Sequence, residues 1–244
     1  MFTRYSILVI FIIGIWKVSY PQSFLDIKPD NFQLAVFGNY VTSAEIEINP
    51  LTSNSIDRFS SEEINGGFGV GFSVKKRIFL DNFYISLSTE YIKINDDQNA
   101  QYIYNNDTNY LKVRVYETIW MVPVELSFIF DVPSIADELK IYFGGGLGIY
   151  FGDRKRRIIN FETETLSTSP KLNLQVLCGM EYKFSKNISA ILQFNFRDAQ
   201  FNVHNRFATD RFVYQGYDYF FEQDMYSKIY FDGLKICLGL SYNF

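Results

Sequence analysis

Eight segments of the chain alternate large apolar residues with small or polar ones at a period of two, the signature of strands whose two faces meet different surroundings. Residues 233–244 read GLKICLGLSYNF: Leu234, Ile236, Leu238, Leu240, Tyr242 and Phe244 share one face, and Gly233, Lys235, Cys237, Gly239, Ser241 and Asn243 the other. The same alternation predicts strands over residues 31–41, 66–74, 83–91, 118–130, 141–152, 171–184 and 188–197. The second face of each is built mostly from Gly, Ser and Asn with a few isolated charges.

A soluble sandwich or lipocalin turns its large apolar residues inward and covers its outside with charge. Small residues cover a water-facing exterior poorly, yet they suit the narrow lumen of an eight-stranded barrel, so the apolar face must look at lipid. Aromatic residues near the strand ends, Phe32, Tyr40, Phe83, Tyr91, Phe151, Phe184 and Phe244, match the interfacial girdles of such a barrel. Connector lengths alternate in the same sense. Residues 42–64, 96–112, 153–170 and 200–228 form long links, and 78–82, 131–139 and 185–187 short ones. The fold predicted is all-β: an eight-stranded antiparallel transmembrane β-barrel with short periplasmic turns and long extracellular loops. Both chain ends are then periplasmic, and the outer membrane of a Gram-negative-type cell is the expected location.

Composition adds a leader and removes some partners. The one long apolar run is MFTRYSILVIFIIGIWKVSYPQS, with Arg4 before Ile7 to Trp16; residues 1–23 read as a signal peptide and 24–244 as the barrel domain. Its cleavage site is weak, which leaves an uncleaved anchor as the alternative. With 25 Phe and 18 Tyr the chain is rich in aromatics, but no internal run is long enough to span as a helix. Arg4 and Lys17 leave with the leader, so that 23 basic residues become 21 against 27 acidic ones, an acidic balance that suits no nucleic acid. Cys178 is expected outward and Cys237 inward on strands that are not neighbours, which disfavours a disulfide, and no Cys/His spacing suggests a metal.

MVPVELSFIF, IYFGGGLGIYFG, LNLQVLCGMEYKFSKNISAILQFNF and the terminal LGLSYNF resemble the outer-membrane β-barrel domain family, which groups small porin-like and adhesin-like barrels. The resemblance covers about residues 30–244 and is best from 118 onward. It implies the fold and the location, and it implies that Phe244, as a terminal aromatic, is read by the barrel-assembly machinery. Members of the family differ widely in function.

Inward positions by strand parity include Glu90, Glu125, Glu181, Lys183, Arg197 and Lys235, which must pair in a tight lumen and form either a structural plug or a selective ion path. DRKRR places Arg154, Lys155, Arg156 and Arg157 where a strand leaves the membrane; guanidinium groups suit phosphate, so outer-membrane lipid and lipopolysaccharide head groups are the expected contact, with a solvated charge run as the alternative. Residues 211–226 carry Tyr214, Tyr217, Tyr219, Phe220 and Phe221, which suit recognition at the cell surface, unless they extend the strands and pack on each other. Oxygen-rich residues 95–109 lack the spacing of a calcium loop. The sole histidine, His204, lies near Asp198 and Asp210 with no serine identifiably paired to it. The expectation is a monomeric, non-enzymatic barrel without cofactor or metal, with a structural or surface-interaction role. A narrow porin is the alternative, and a lipid-modifying enzyme a remote one.

Overall fold

In the computed structural model the described residues are 32–49, 61–78, 82–105, 110–133, 136, 138–220 and 222–244. The expected signal peptide lies outside them. Thirteen strands occur among the described residues: β1 (Phe32–Ile48), β2 (Ser61–Arg77), β3 (Phe83–Asp96), β4 (Ala100–Asn105), β5 (Tyr110–Asp131), β6 (Leu139–Ile158), β7 (Phe161–Lys183), β8 (Ile188–Arg197), β9 (Ala199–Phe207), β10 (Arg211–Tyr214), β11 (Tyr217–Phe220), β12 (Asp224–Phe231) and β13 (Lys235–Asn243). β8 and β9 follow one another as a single stave broken at Asp198, and β12 and β13 as another broken at residues 232–234.

Eight staves close on themselves. β1 pairs β2, then β3, β5, β6 and β7 follow; β7 pairs both β8 and β9, these pair β13 and β12, and both of the last pair β1. All pairings are antiparallel. The seam runs from Gln33 opposite Asn243 to Val41 opposite Lys235 and resumes at Glu45 opposite Tyr230. At its end the Phe244 N–H donates to the Phe32 carbonyl at 3.0 Å, and the two rings meet edge to face. Over the belt the described strands leave no sheet edge, the condition for strands to cross a membrane.

Parity along the staves agrees with the expected orientation. Outward residues form an apolar belt, in which Val36, Phe68, Leu174 and Leu238 are each about two-thirds or more exposed. On β6 the belt runs from Phe143 to Phe151 and on β7 from Tyr182 back to Leu172. Those lengths match the 9 to 11 residues, approximately, that a tilted strand needs to cross. Aromatic pairs mark both margins: Phe83 with Phe130 and Tyr182 with Phe184 at the end of the short turns, Tyr40 with Phe68 and Tyr91 with Trp120 at the other.

The long connections are themselves largely β-structure. Residues 153–170, expected as a loop, continue β6 to Ile158, turn at Ile159 and Asn160, and begin β7 at Phe161. The connection over 200–228 contains β9, the β10–β11 hairpin and β12, and β4 joins β5 on the same side. Alternation persists in this extension with its chemistry exchanged. Val113, Val115, Ile158, Phe207 and Met225 point inward into one apolar cluster, while Arg114, Lys155, Arg157 and Arg206 point outward.

Two irregularities shape the wall. On β1 both Val41 and Ala44 are buried, and on β2 both Gly67 and Ile64, so side-chain parity inverts in both strands at one level. Gly66 sits there because a Cβ would collide with the Val41 carbonyl. The β6–β7 ladder is interrupted between the pairs Tyr150/Lys171 and Arg157/Glu162, and residues 166–172 of β7 are all exposed. Behind them the Phe201 ring of β9 packs on Gly152 of β6, where a side chain would overlap it.

Candidate functional site

The lumen is filled in layers. In the belt, inward positions of six staves bring Glu90 (β3), Glu125 (β5), Arg197 (β8), Lys235 (β13), Asn39 (β1) and Tyr150 (β6) together. Arg197 Nη1 lies 2.5 Å from Glu90 and 3.4 Å from Glu125. Lys235 Nζ donates to both Glu90 oxygens at 3.1 Å and sits 3.5 Å from Glu125. The Asn39 amide donates to Glu90 at 2.8 Å and the Tyr150 hydroxyl to Glu125 at 2.7 Å. Two carboxylates and two cations thus cancel among fully buried groups, the arrangement that lets charge remain away from water.

Above this layer lies an apolar one. Ile46, Ile64, Ile92, Ile94, Ile119, Met121, Phe201, Ile229 and Phe231 pack across the barrel axis, none more than 4 % exposed. A second ionic layer follows. Arg154 clasps Glu117 through Nε at 2.9 Å and Nη2 at 2.7 Å and also donates to the Ser227 hydroxyl; Arg156 reaches Glu117 at 2.9 Å, Glu62 at 3.2 Å and Gln101 at 3.1 Å. The apolar cluster of the extension, with Phe212 and Tyr219 stacked at 5.6 Å, closes the top.

At the end of the short turns a cavity of about 240 Å³ is lined by Lys75, Arg77, Lys140, Lys183 and Lys186 against Asp131 and Glu181. Lys75 pairs with Asp131 at 2.9 Å. Of the six lumen charges expected from sequence, Glu181 and Lys183 therefore stand apart from the other four. Glu181 accepts from Gln33 at 2.9 Å and Asn243 at 3.3 Å.

Arg154 and Arg156 correct the expected lipopolysaccharide contact. Strand β6 runs on through them with unbroken parity, so both guanidinium groups are buried in the lumen beside Glu117 and cannot meet a head group. Lys155 and Arg157 do face outward, one 3.2 Å from Glu162 and the other over the Tyr116 ring. Glu117, Glu62, Lys75 and Asp131 were missed because the predicted strands stopped short of them or left their segments unassigned. The signal was present, since Val113, Val115, Glu117, Ile119 and Met121 keep the inward parity of Glu125.

Among the aromatics of the extension, Tyr214, Tyr217 and Phe220 are exposed, whereas Tyr219 points inward and is buried on Phe212. Tyr214 and Tyr217 share the face of Tyr219 but pair with each other next to the hairpin turn, one pair beyond the Phe212–Tyr219 stack. Phe221 lies outside the described residues. Tyr102, Tyr104 and Tyr110 add to the exposed set, with Tyr104 opposite Phe220 across the β4–β11 pairing. The two cysteines are free, and Cys237 is buried. Asp96 is occupied by Asn65 and Asn99, and among the described residues no group of three His, Cys, Asp or Glu side chains could hold a metal.

His204 faces outward from β9. Its ring stacks on Tyr226 at 4.0 Å and its Nε2 lies 3.0 Å from Asp224, which also receives a two-pronged contact from Arg206. Hydrogen bonding from Arg206, and then from His204, holds the Asp224 carboxyl below its ordinary range. Ser167 stands opposite His204 in the β7–β9 ladder, but no hydrogen bond joins them.

A closed ring of eight antiparallel staves, apolar outside over the span of a bilayer and ionic within, is a transmembrane β-barrel of the outer-membrane kind. No family model and no curated protein matches the chain. In structure it is similar to the outer membrane protein OprG from Pseudomonas aeruginosa, with a TM-score of 0.55 at 10% identity over 88% of this chain and 96% of that one. It is also similar to the outer membrane protease OmpT from Escherichia coli, with a TM-score of 0.50 at 7% identity over 92% and 100% of the two chains. At these identities the likeness is one of fold.

Proposed function

We propose that the protein is a non-conducting outer-membrane barrel that presents a rigid β-structured platform outside the cell, with both termini in the periplasm. The buried layer of Ile92, Ile119, Met121, Phe201 and Phe231 carries the closed-lumen reading, because an apolar stopper between two charge-paired layers leaves no polar path for an ion. Planar-bilayer recording of the refolded chain tests it. The expected trace is flat, and reproducible single-channel steps would replace this reading with that of a narrow porin.

The exposed rings of Tyr102, Tyr104, Tyr110, Tyr214, Tyr217 and Phe220 support surface interaction, since tyrosine supplies contact area at low entropic cost. Cells displaying a Tyr104→Ser, Tyr110→Ser, Tyr217→Ser variant should adhere less to host or neighbouring cells than cells displaying the parent at equal surface density. Equal adherence would remove these rings from the role. Phe244, anchored to Phe32 at the seam, is read as the assembly signal; its deletion should slow machinery-assisted insertion, and unchanged insertion would leave it a rim aromatic only.

A further inference from the structure

The outer wall of the extension carries a groove of mixed polar and apolar lining that none of the features above uses. It has a volume of about 520 Å³ and is lined by side chains of three adjacent staves. In the ladder Ser167 stands beside His204 and Tyr226, Ser169 beside Asn202 and Lys228, and Gln200 beside Tyr230, while Lys171 lines the same groove. The outward slip of residues 166–172, where β7 leaves β6, gives the groove its wall.

Its position is decisive. Leu172 forms the lower rim, and on the same stave Leu174 and Val176 belong to the apolar belt. On the next stave Phe196 is the last belt residue before Gln200, Asn202 and His204. A molecule seated in the groove therefore has its other end beside hydrocarbon. The lining offers two ammonium groups, neutral amides and hydroxyls, and a flat ring pair. The His204 ring is fixed by Asp224 and Tyr226, and the Lys228 ammonium lies 4.5 Å above the Tyr230 ring, which itself donates to Glu47 at 2.8 Å. The Asn202 amide lines the groove between Ser169 and Lys228.

We infer that this groove binds the phosphorylated saccharide head group of an outer-leaflet glycolipid of the lipopolysaccharide type, with Lys171 and Lys228 on phosphate, Gln200 and Asn202 on sugar hydroxyls, and the His204–Tyr226 pair as a flat surface for a sugar ring. Lysine is a point-charge partner for phosphate, and stacked rings suit the apolar face of a pyranose. The inference rests on the outer-membrane reading above. It moves the expected lipopolysaccharide contact from the buried Arg154 and Arg156 to the neighbouring staves.

His204, as the single histidine of the chain, supplies a unique reporter. The full chain, refolded in zwitterionic micelles, is titrated with lipid A while the His204 imidazole resonances are followed. A saturable shift is expected with lipid A, with no comparable shift from phosphatidylglycerol or inorganic phosphate at equal phosphate concentration. The Lys171→Gln, Lys228→Gln double variant should weaken binding by about tenfold or more, the loss of two charge-assisted contacts. Lys155→Gln with Arg157→Gln should leave it unchanged. Asn202→Asp, which places a like charge before the phosphates, gives a second test of the same site. An equal response to phosphatidylglycerol, or equal weakening by the Lys155 and Arg157 substitutions, would mean general charge attraction and overturn the site. Absence of any shift with lipid A would overturn it too. Failure of the barrel to insert into lipid vesicles, seen as extraction without detergent, would instead overturn the membrane reading beneath it.

Discussion

The belt half of this barrel is inside out with respect to its extension. Between the aromatic margins, side chains facing out are Leu, Val, Ile and Phe, and those facing in include Glu90, Glu125, Arg197 and Lys235 with Asn, Ser and Gln, beside one apolar cluster of Ile129, Tyr142 and Leu177. Beyond the upper margin the same staves carry Asp153, Lys155, Asn202 and Lys228 outside, and Val113, Val115, Ile158 and Phe207 inside. Backbone phase is continuous on β5 and β6 across the change. What differs is the surrounding solvent: lipid rewards apolar surface and leaves polar groups for the interior, and water does the reverse. The two ionic layers follow this division. Glu90 and Glu125 are sealed within the belt, whereas Glu62 of the upper layer keeps 27 % of its side chain exposed.

The largest expected effect breaks the interior of the belt half. Arg197→Ala leaves Glu90 and Glu125 sharing Lys235, and should lower unfolding free energy by about 3–5 kcal/mol, the usual penalty for removing one partner of a buried pair. Urea titration of the protein in lipid vesicles measures it; a loss below about 1 kcal/mol, the scale of an exposed pair, would show that water reaches this layer. Next in size is an outward substitution. Val176→Arg, mid-belt on β7, should cost about 2–4 kcal/mol in the same titration, as cations on the lipid face of barrels do. Glu63→Arg, outward on β2 in the extension, should stay within about 0.5 kcal/mol. Equal costs would erase the proposed boundary between the halves.

A smaller effect separates the packed base of the β10–β11 hairpin from its tip. Tyr219→Ala removes a buried ring stacked on Phe212 and should destabilise the extended end by about 2 kcal/mol, read as faster limited proteolysis of the β10–β11 hairpin. Tyr217→Ala, at the exposed hairpin tip, should change that rate little. Smallest is the response to acid. The Asp224 carboxyl titrates below its ordinary value in the folded chain because Arg206 and His204 hold the anion. Its contribution is therefore complete above the unfolded carboxylate value and fades only as pH falls through the lower folded one. The Arg206 contact should loosen only below about pH 4, followed by the Asp224 carboxyl carbon resonance. Protonation of the Asp224 carboxyl above the ordinary aspartate value would contradict the sign.

The same contrast explains what could be read in advance. Parity in GLKICLGLSYNF or TIWMVPVELSFIF announces lipid outside because large residues on one face oppose small ones on the other. Strand prediction stopped near Thr118 and Gly152 because the apolar residues change sides there, and a search for one greasy outer face ends at that point. Glu117, Arg154 and Arg156 fell beyond it, although their spacing from Glu125 and Tyr150 is even in every case. Tyr219 and Tyr217 are indistinguishable by composition and share one face of a four-residue strand; they differ only in that Tyr217 lies at the hairpin tip and Tyr219 a pair further in, opposite Phe212.

By itself the sequence determined the barrel: the period of two, the chemistry of each face over a membrane's width, the number of staves and the alternation of connector lengths are all local properties of the chain. Tertiary structure decided which charges meet. Arg197 and Glu90 are 107 residues apart, and Arg156 and Glu62 are 94 apart. Only ring closure and stagger bring such residues to one height on the barrel axis. The outer-wall groove also depends on closure, because it requires three staves in fixed register and a seventh strand that slips from its neighbour for a few residues, and no single stretch of sequence records that alignment.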